Sequence, residues 1–392
     1  MHPVTPLATQ ILAASAALLA ALVGCSSDRR HEPERGPVDD VCESALDCEP
    51  GMGCEDGTCV PESTEVLPEA CLAVDPAQSA AHLAARSRAW QEEYHCALSC
   101  HTTVPFLLAT PLLGAEVQPT AAALLAEVEG RALDWASAAP WYGEAYGPGK
   151  ANESRSTEAV LNALVLLRRD AQDGAASDSG RAALEAMWAA QTAGGDFAWL
   201  DFGLLPWEDD SARPMGMAFA ALAAASVPGD YLITADGADA ERIALLREAL
   251  RGALSRGVAL DRVFVAWAAS EWPGLLSEEE REALVSDLVA LQRADGGWNL
   301  AELGEWRAQP SYPTETSTAY ATAITTYVLV LSGLSARDPA IARACGWLVE
   351  HRSGAGEWAD VSLNRDESFN HTLVTDAATA FALLALAAAD GT

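Results

Sequence analysis

From residue 77 onward the chain alternates two kinds of apolar pattern, and both have the period of an α-helix. In the first kind, apolar positions recur every three to four residues between charged ones, which is typical of helices that lie at a surface. In the second kind, apolar and small residues occupy nearly every position, so those helices must be buried. Candidate strands are scarce. The pattern therefore predicts an all-α domain with an inner layer of apolar helices and an outer layer of amphipathic helices.

The helices of each kind can be bounded from the sequence. Ser277 with Glu280 forms a capping box at the start of one amphipathic helix. The amphipathic kind is predicted at residues 239–254, 277–292 and 338–351, and the apolar kind at residues 157–167, 213–225, 263–270, 316–331 and 376–388. Stacked helical hairpins with an inner and an outer layer give either an open superhelical solenoid or a closed toroid.

A short motif recurs where predicted helices end. Its clearest copy is Gln292-x3-Gly296-Gly297-Trp298. A second copy has His351 in place of the glutamine and ends in Gly356-Glu357-Trp358, and a looser third copy runs from Gln191 through Gly195 to Phe197, with Trp199 close by. The glutamine can bond backbone groups left open at a neighbouring helix end, and the glycine allows a tight reversal. An internal repeat of one helix–turn–aromatic unit indicates a repeat architecture.

This motif resembles the QW motif of the squalene-hopene and oxidosqualene cyclases, and more broadly the prenyltransferase/squalene oxidase repeat. The resemblance covers residues 119–390. It implies a closed α/α toroid of about five to six helical hairpins around a central cavity, with Trp298 and Trp358 as structural clamps. We therefore assign residues 119–392 to the toroid and residues 71–118 to a helical segment with cysteine and histidine that leads into it.

The chemistry of that family is only partly present in the sequence. The cyclases carry an Asp-x-Asp-Asp acid motif, often followed by Thr-Ala, and the nearest match here is Asp376 with Thr379-Ala380. Two of the three aspartates are missing, so cyclisation by that mechanism is not supported. The related protein prenyltransferases bind zinc through Asp-x-Cys and a distant histidine. Cys345 is the only cysteine after residue 119 and has Arg343 two positions before it, so that metal site is absent too.

Polar residues nevertheless cluster where the apolar helices begin, and in a toroid these starts face one mouth of the cavity. As catalytic candidates they supply the acids Asp376, Glu158, Asp209 and Asp210 and the base His371, and as ligand-binding candidates they supply Arg155, Trp207, Glu315, Thr318 and Tyr320. The alternative is that they are N-caps and acids stabilised by helix dipoles. If the chain catalyses a reaction, we expect Asp376, with His371 five residues earlier, to be its acid.

A cysteine-histidine segment precedes the repeats. Cys96-x3-Cys100-His101 differs by one residue from the Cys-x2-Cys-His signature of c-type haem attachment. Haem would be bound through thioethers to Cys96 and Cys100, with His101 as an axial ligand. The alternative is a disulfide, either between these two cysteines or from Cys71 to one of them. No other cofactor is predicted.

The N-terminal part of the chain indicates export. Residues 1–24 read as a signal peptide whose end, Leu22-Val23-Gly24-Cys25, resembles the lipobox of bacterial lipoproteins, so Cys25 is the predicted lipidation site; an ordinary cleaved signal is the alternative. Residues 25–41 form a linker. In residues 42–61, Cys42, Cys48, Cys54 and Cys59 predict a small knot with two disulfides, with a zinc site as the weaker alternative. The predicted location is the cell envelope, with lipid as the anchor.

The net charge is −32, and Lys150 is the only lysine. Such acidity argues against binding nucleic acid or anionic membrane surfaces by charge. Three functions fit the sequence: a toroid that binds or transforms an apolar, terpenoid-like molecule, a non-catalytic binding or scaffold toroid on the cell envelope, and a haem-bearing redox protein.

Overall fold

The computed structural model describes residues 52–55, 58–61, 71, 74–94 and 96–391, which fall into two compact units that divide after Thr64. In the first unit, strands β1 (Met52–Glu55) and β2 (Thr58–Pro61) pair antiparallel, with Cys54 opposite Cys59. The predicted signal peptide, Cys25, the linker and two cysteines of the predicted knot, Cys42 and Cys48, lie outside the described residues.

The second unit is helical, as the sequence pattern predicts. Its longer helices form two sets of six that alternate along the chain. Each helix of an apolar set is preceded by one helix of the other set. The apolar set comprises α2 (Thr103–Ala109), α4 (Lys150–Asp173), α6 (Arg213–Ala225), α9 (Ala259–Glu271), α11 (Ala319–Leu331) and α13 (Ser368–Asp390). The preceding set comprises α1 (Ala77–Tyr94), α3 (Gln118–Leu133), α5 (Asp178–Ala190), α8 (Gly237–Ser255), α10 (Glu278–Ala290) and α12 (Pro339–Glu350), and the short α7 (Tyr231–Thr234) lies between α6 and α8.

The apolar helices contact one another in chain order. Helix α2 contacts α4, α4 contacts α6, α6 contacts α9, α9 contacts α11, α11 contacts α13, and α13 contacts α2 again. In α6 every residue from Pro214 to Ala224 is buried. In the amphipathic α10, by contrast, the buried residues are Leu284 and Leu288. The apolar helices are therefore the inner ones, and the predicted capping box of Ser277 and Glu280 begins the outer helix α10.

Two inner helices begin seven and eight residues earlier than the apolar pattern predicts. Helix α4 begins at Lys150 and α13 at Ser368, so the polar residues that precede the apolar runs continue the helix. Glu158 and Asp376 consequently lie in helix interiors. The interpretation of these two acids as groups at helix N-termini is wrong, because polar residues predominate in the first turns of each helix and interrupt the apolar pattern on which the predicted boundary rests.

A disulfide joins the start of the second unit to an outer helix. Cys71 bonds to Cys345 of α12, with 5.1 Å between their Cα atoms. Cys96 and Cys100 are free and buried. The disulfide predicted for Cys96 and Cys100, with each other or with Cys71, is therefore wrong: Cys71 pairs with a residue 274 positions away, a distance in sequence that spacing does not reveal.

The recurrent turns connect successive outer helices. Nε2 of Gln292 donates to the carbonyl oxygens of Gly296 (2.8 Å) and of Ala340 (2.7 Å), the latter in the first turn of α12. The looser copy repeats this arrangement, because Gln191 donates to Gly195 and to Arg242 of α8. At Gly296 φ is +95°, and an added Cβ would lie 2.7 Å from the carbonyl oxygen of Arg343, so the turn requires glycine.

The last copy of the turn contacts the first outer helix. Ser79 of α1 donates to the carbonyl oxygen of Gly356, and Arg352 donates to the carbonyl oxygen of Asp75 (2.9 Å). His351 does not take the part of the glutamine. Its ring stacks on Trp347 at 3.9 Å between centroids, and its Nδ1 lies 2.8 Å from the Trp347 carbonyl oxygen. The neighbouring arginine makes the contact to the next helix because its longer side chain reaches α1.

Both tryptophans of the motif are buried and make the same bond. Nε1 of Trp298 donates to the carbonyl oxygen of Leu288 (2.8 Å), and Nε1 of Trp358 donates to that of Leu348 (2.6 Å). The backbone N–H of Trp358 also donates to Oγ1 of Thr379 (3.1 Å), as that of Trp298 does to Thr322 (3.0 Å). The Thr379 that resembles part of an acid motif therefore has a structural contact.

Within the part of the chain that the structure describes, α13 alone has the length and apolar composition to cross a membrane. Of that stretch, 83% is buried inside the protein. Since the inner helices of a packed domain pass the same test, this is weak support for a membrane span.

Candidate functional site

The predicted site residues separate into exposed, structural and buried groups. Asp210 and Glu315 are exposed. Asp209 is half-buried and caps a short turn by accepting a hydrogen bond from the Ser211 N–H (2.9 Å). Asp210 pairs with Arg213 at 2.6 Å. Asp209 and Asp210 therefore fit the alternative interpretation as residues at a helix start.

Asp376 is fully buried, and side chains of α1 hold its carboxylate. Nε of Arg86 donates to both oxygens (3.1 and 3.2 Å), and Nε2 of His82 lies 3.3 Å from Oδ1. Oγ1 of Thr102 donates to Oδ2 at 3.0 Å. The expected partner His371 is elsewhere: its Nδ1 accepts from the Ser362 N–H (3.0 Å). The structure therefore brings His82, and not His371, to Asp376.

Glu158 is also buried and paired. It accepts two hydrogen bonds from Arg131, from Nε at 2.5 Å and from Nη2 at 2.9 Å. Arg155, expected to bind a ligand, stacks on Trp135 at 3.5 Å and donates to the carbonyl oxygens of Trp135 and Ala138. Both charged groups thus have partners within the protein.

Trp207 and Tyr320 belong to a cluster of aromatic rings, which we call the aromatic cluster. Nε1 of Trp207 donates to the Tyr320 hydroxyl (3.1 Å), and the two rings lie 4.9 Å apart. Tyr320 contacts Phe381 at 5.9 Å, and Phe381 contacts Trp267 at 5.7 Å. The cluster comprises Trp207, Phe219, Phe264, Trp267, Tyr320, Tyr327 and Phe381, from four inner helices and one loop. Thr318 is the N-cap residue of α11 and, like Tyr320, is buried.

At one edge of the aromatic cluster, three side chains with metal-binding atoms meet. Cys100 and His101 precede α2, and Glu208 follows Trp207 in the loop before α6. Their Sγ, imidazole nitrogen and carboxylate oxygen all lie within 4.8 Å of one another. Nε2 of His101 is 3.4 Å from Oε1 of Glu208, and Nδ1 is 3.1 Å from Oγ1 of Thr102. We call this group the Cys-His-Glu cluster.

A cavity of about 20 Å³ adjoins this cluster and is lined in part by Cys96, Cys100, Tyr142 and Glu208. Its volume is far below the roughly 300–1,000 Å³ of pockets that hold a cofactor. The structure therefore offers no room for haem beside Cys96 and Cys100 as it stands. Burial raises the pKa of the Cys96 thiol to about 12, and burial together with Glu208 raises the pKa of the Cys100 thiol.

A larger groove, of about 770 Å³, lies at the surface beside Asp209 and Asp210. Three of its acids are paired within the protein: Asp196 and Asp210 with Arg213, at 2.9 and 2.6 Å, and Asp261 with Arg256 at 3.6 Å. Burial raises the pKa of Asp261 to about 6, although Arg256 opposes the shift.

The chain matches no family model, and no curated protein matches its sequence. The candidate site therefore rests on its own geometry.

Several residues of this geometry carry no sequence signal. Glu208 stands beside the two aspartates that we selected, and His82, Arg86 and Thr102 belong to no motif. One signal was available: Cys100-His101 places two metal-binding side chains side by side, and we interpreted that pair as part of a haem signature.

Proposed function

We propose that this chain is an exported α/α toroid on the cell envelope that acts as a binding or scaffold protein, without terpenoid cyclisation. The toroid is supported by the inner helices, which contact one another in chain order with α13 against α2. It is supported further by the turn at Gly356, which bonds to the first outer helix α1. An anchor at Cys25 is the localisation that the sequence favours, and its test is whether Cys25→Ser moves the protein from the membrane fraction to the soluble fraction.

One observation favours a non-catalytic binding or scaffold protein over a terpenoid cyclase. Aromatic rings of the inner helices contact one another where a cyclase needs room for its substrate. Phe219, Trp267 and Phe381 are each nearly fully buried, and Trp267 contacts the other two rings at 5.9 and 5.7 Å. The carboxyl group of Asp376 is also not free to donate a proton to a substrate, because both of its oxygens accept hydrogen bonds from Arg86 and Thr102. A protonating acid would have to be kept neutral in a dry pocket.

The test distinguishes a core of aromatic rings from a pocket for a ligand. Phe381→Ala removes a central ring, and Phe369→Ala removes a ring of the same helix that is 43% exposed. If the rings form a core, the first change lowers the free energy of unfolding by about 3–5 kcal/mol and the second changes it little. Neither the wild type nor the variants would convert squalene to cyclic products. Cyclic products from the wild type, or an unchanged melting temperature in Phe381→Ala, would contradict the proposal.

A second candidate, a binding protein for an apolar molecule, has support from a different place. A pocket of about 290 Å³ is lined by apolar residues that include Leu108, Leu125 and Val165, and Arg168 and Arg169 lie at it. Nε of Arg168 is buried without a hydrogen-bond partner among the described residues. Both arginines already pair with acids of the protein, Arg168 with Glu271 and Arg169 with Asp170, so the pocket suits an apolar ligand whose polar end accepts a hydrogen bond from Nε of Arg168. Leu125→Arg should abolish the binding of a fatty acid, while Leu133→Arg, on the exposed part of the same helix, should preserve it.

A further inference from the structure

The Cys-His-Glu cluster combines three groups that bind the same metal. Zinc in proteins takes thiolate, imidazole and carboxylate ligands, and a site with three protein ligands leaves one position for water or another molecule. We propose that Cys100, His101 and Glu208 bind Zn²⁺ through Sγ, Nε2 and a carboxylate oxygen, with a fourth coordination position facing the adjoining cavity.

The measured separation fits this coordination. Two ligand atoms at about 2.0–2.1 Å from zinc, at a tetrahedral angle, lie about 3.4 Å apart. Nε2 of His101 and Oε1 of Glu208 are 3.4 Å apart, and Sγ of Cys100 belongs to the same group, whose atoms lie within 4.8 Å of one another. At a zinc–sulfur distance of about 2.3 Å, Sγ would lie about 3.6 Å from the other two ligand atoms, so the thiol would have to close by up to about 1.2 Å.

A chain of hydrogen bonds orients the imidazole as a ligand. The hydroxyl of Thr102 donates its one proton to Asp376, so toward His101 it can only accept, and the N–H must be on Nδ1. A neutral imidazole of this tautomer has its lone pair on Nε2, the atom that faces Glu208. A partner on the second nitrogen is what metal-binding histidines usually have. Asp376, itself fixed by Arg86, is therefore a positioning residue for this site.

The ligands are held by their surroundings. The ring of His101 lies between Trp90, at 4.9 Å, and Trp207, at 5.8 Å, both with edge contacts. The backbone of Glu208 is held by hydrogen bonds with Leu204 in both directions, at 2.8 and 3.0 Å. The packing of His101 and the fixed backbone of Glu208 favour metal binding because they reduce the order that is lost when the ion enters.

Charge and space agree with zinc. One thiolate and one carboxylate balance the two charges of the ion, and thiolate and imidazole ligands select zinc over magnesium or calcium. The cavity of about 20 Å³ beside the cluster exceeds the roughly 10–15 Å³ that one water requires. The fourth ligand would thus be a water molecule. These ligands lie outside the Asp-x-Cys and distant-histidine pattern of the protein prenyltransferases, which the chain lacks.

The alternative is an ion pair between a protonated His101 and Glu208. To separate the two, the full chain is freed of metal with a chelator and titrated with Zn²⁺, and with Co²⁺ as a spectroscopic probe of thiolate coordination. We expect one Zn²⁺ bound per chain at the cluster and a sulfur-to-cobalt charge-transfer band. Glu208→Gln, which keeps the shape of the side chain, and Cys100→Ser should weaken binding by at least about 100-fold, and Thr102→Val by about 10-fold.

Cys96 supplies a matched control, since it is buried and lines the same cavity but is outside the cluster. Cys96→Ser should retain the metal with its wild-type affinity. If the wild type shows no charge-transfer band and binds Zn²⁺ no more tightly than Glu208→Gln does, the metal site is refuted in favour of the ion pair. Metal that survives Cys100→Ser but is lost when Cys42, Cys48, Cys54 and Cys59 become serine would place it in the N-terminal segment and overturn the proposal equally. Loss of metal in Cys96→Ser would contradict the proposal that the fourth coordination position is open and not filled by Cys96.

Discussion

The hydroxyl of Thr102 donates a hydrogen bond of 3.0 Å to Oδ2 of Asp376, which lies 274 residues later in the chain. The bond links the residue before the first inner helix to the middle of the last one. Because His101 contacts the same hydroxyl, the side chain of Thr102 connects Asp376 to the candidate site. Asp376 thereby links the contact between α13 and α2 to the orientation of His101.

We expect the main effect of Asp376→Asn to be a lower free energy of unfolding. The substitution leaves Arg86 without its buried counter-charge, and breaking such a pair costs about 3 kcal/mol or more. Chemical unfolding should show this loss, whereas Asp366→Asn, with a side chain that is 74% exposed, should unfold as the wild type does. A fully stable Asp376→Asn variant would refute the structural role.

The two tryptophans of the recurrent turn should be equivalent in unfolding experiments. Each is fully buried and donates to the backbone ten residues earlier, so Trp298→Ala and Trp358→Ala should each lower the free energy of unfolding by about 3–5 kcal/mol. Trp306, half-buried at the surface groove, is the control and should cost less. If either clamp variant melts like the wild type, the assignment of these residues as clamps is mistaken.

The disulfide between Cys71 and Cys345 should stabilise the helical unit by restricting the unfolded chain. A cross-link over a loop this long contributes about 2–4 kcal/mol in typical cases. A reductant should lower the melting temperature of the wild type but leave that of the Cys71→Ser/Cys345→Ser double variant unchanged. Equal sensitivity of both proteins to the reductant would show that this pair is not the bond concerned.

The sequence predicted what depends on local pattern. The period of apolar residues revealed the inner helix Arg213–Ala225 with its observed bounds, and the glycine turns identified Gln292 as a contact between successive outer helices. It did not reveal partners that meet only through the fold. His82 and Arg86 reach Asp376 from α1, and Glu208 reaches His101 from a loop that no spacing rule connects to it. Helix starts were misjudged at Lys150 and Ser368 because their first turns are polar.

The last prediction concerns pH and Asp360, which follows Trp358 in the final turn. Burial raises the pKa of its carboxyl from 3.8 to about 6, against the opposing effect of the N–H groups of Tyr320 and Val361. Between about pH 4 and pH 6 the native state therefore retains a proton that the unfolded chain has released. The carboxyl group of Asp360 binds its proton more strongly in the native state than in the unfolded chain. Its contribution to stability is therefore greatest below pH 4 and is lost as the pH rises through 6.

This loss can be isolated by comparison with Asp360→Asn, which keeps the shape of the side chain and one oxygen acceptor for the Tyr320 N–H (2.7 Å in the wild type). From about pH 4 to pH 7, the free energy of unfolding of the wild type should fall by about 2 kcal/mol relative to that of the variant, allowing for screening by solvent. Urea unfolding at several pH values measures this difference directly. The exposed Asp366→Asn should show no such trend, and a difference between wild type and Asp360→Asn that stays constant with pH would mean that Asp360 ionises as it does in the unfolded chain.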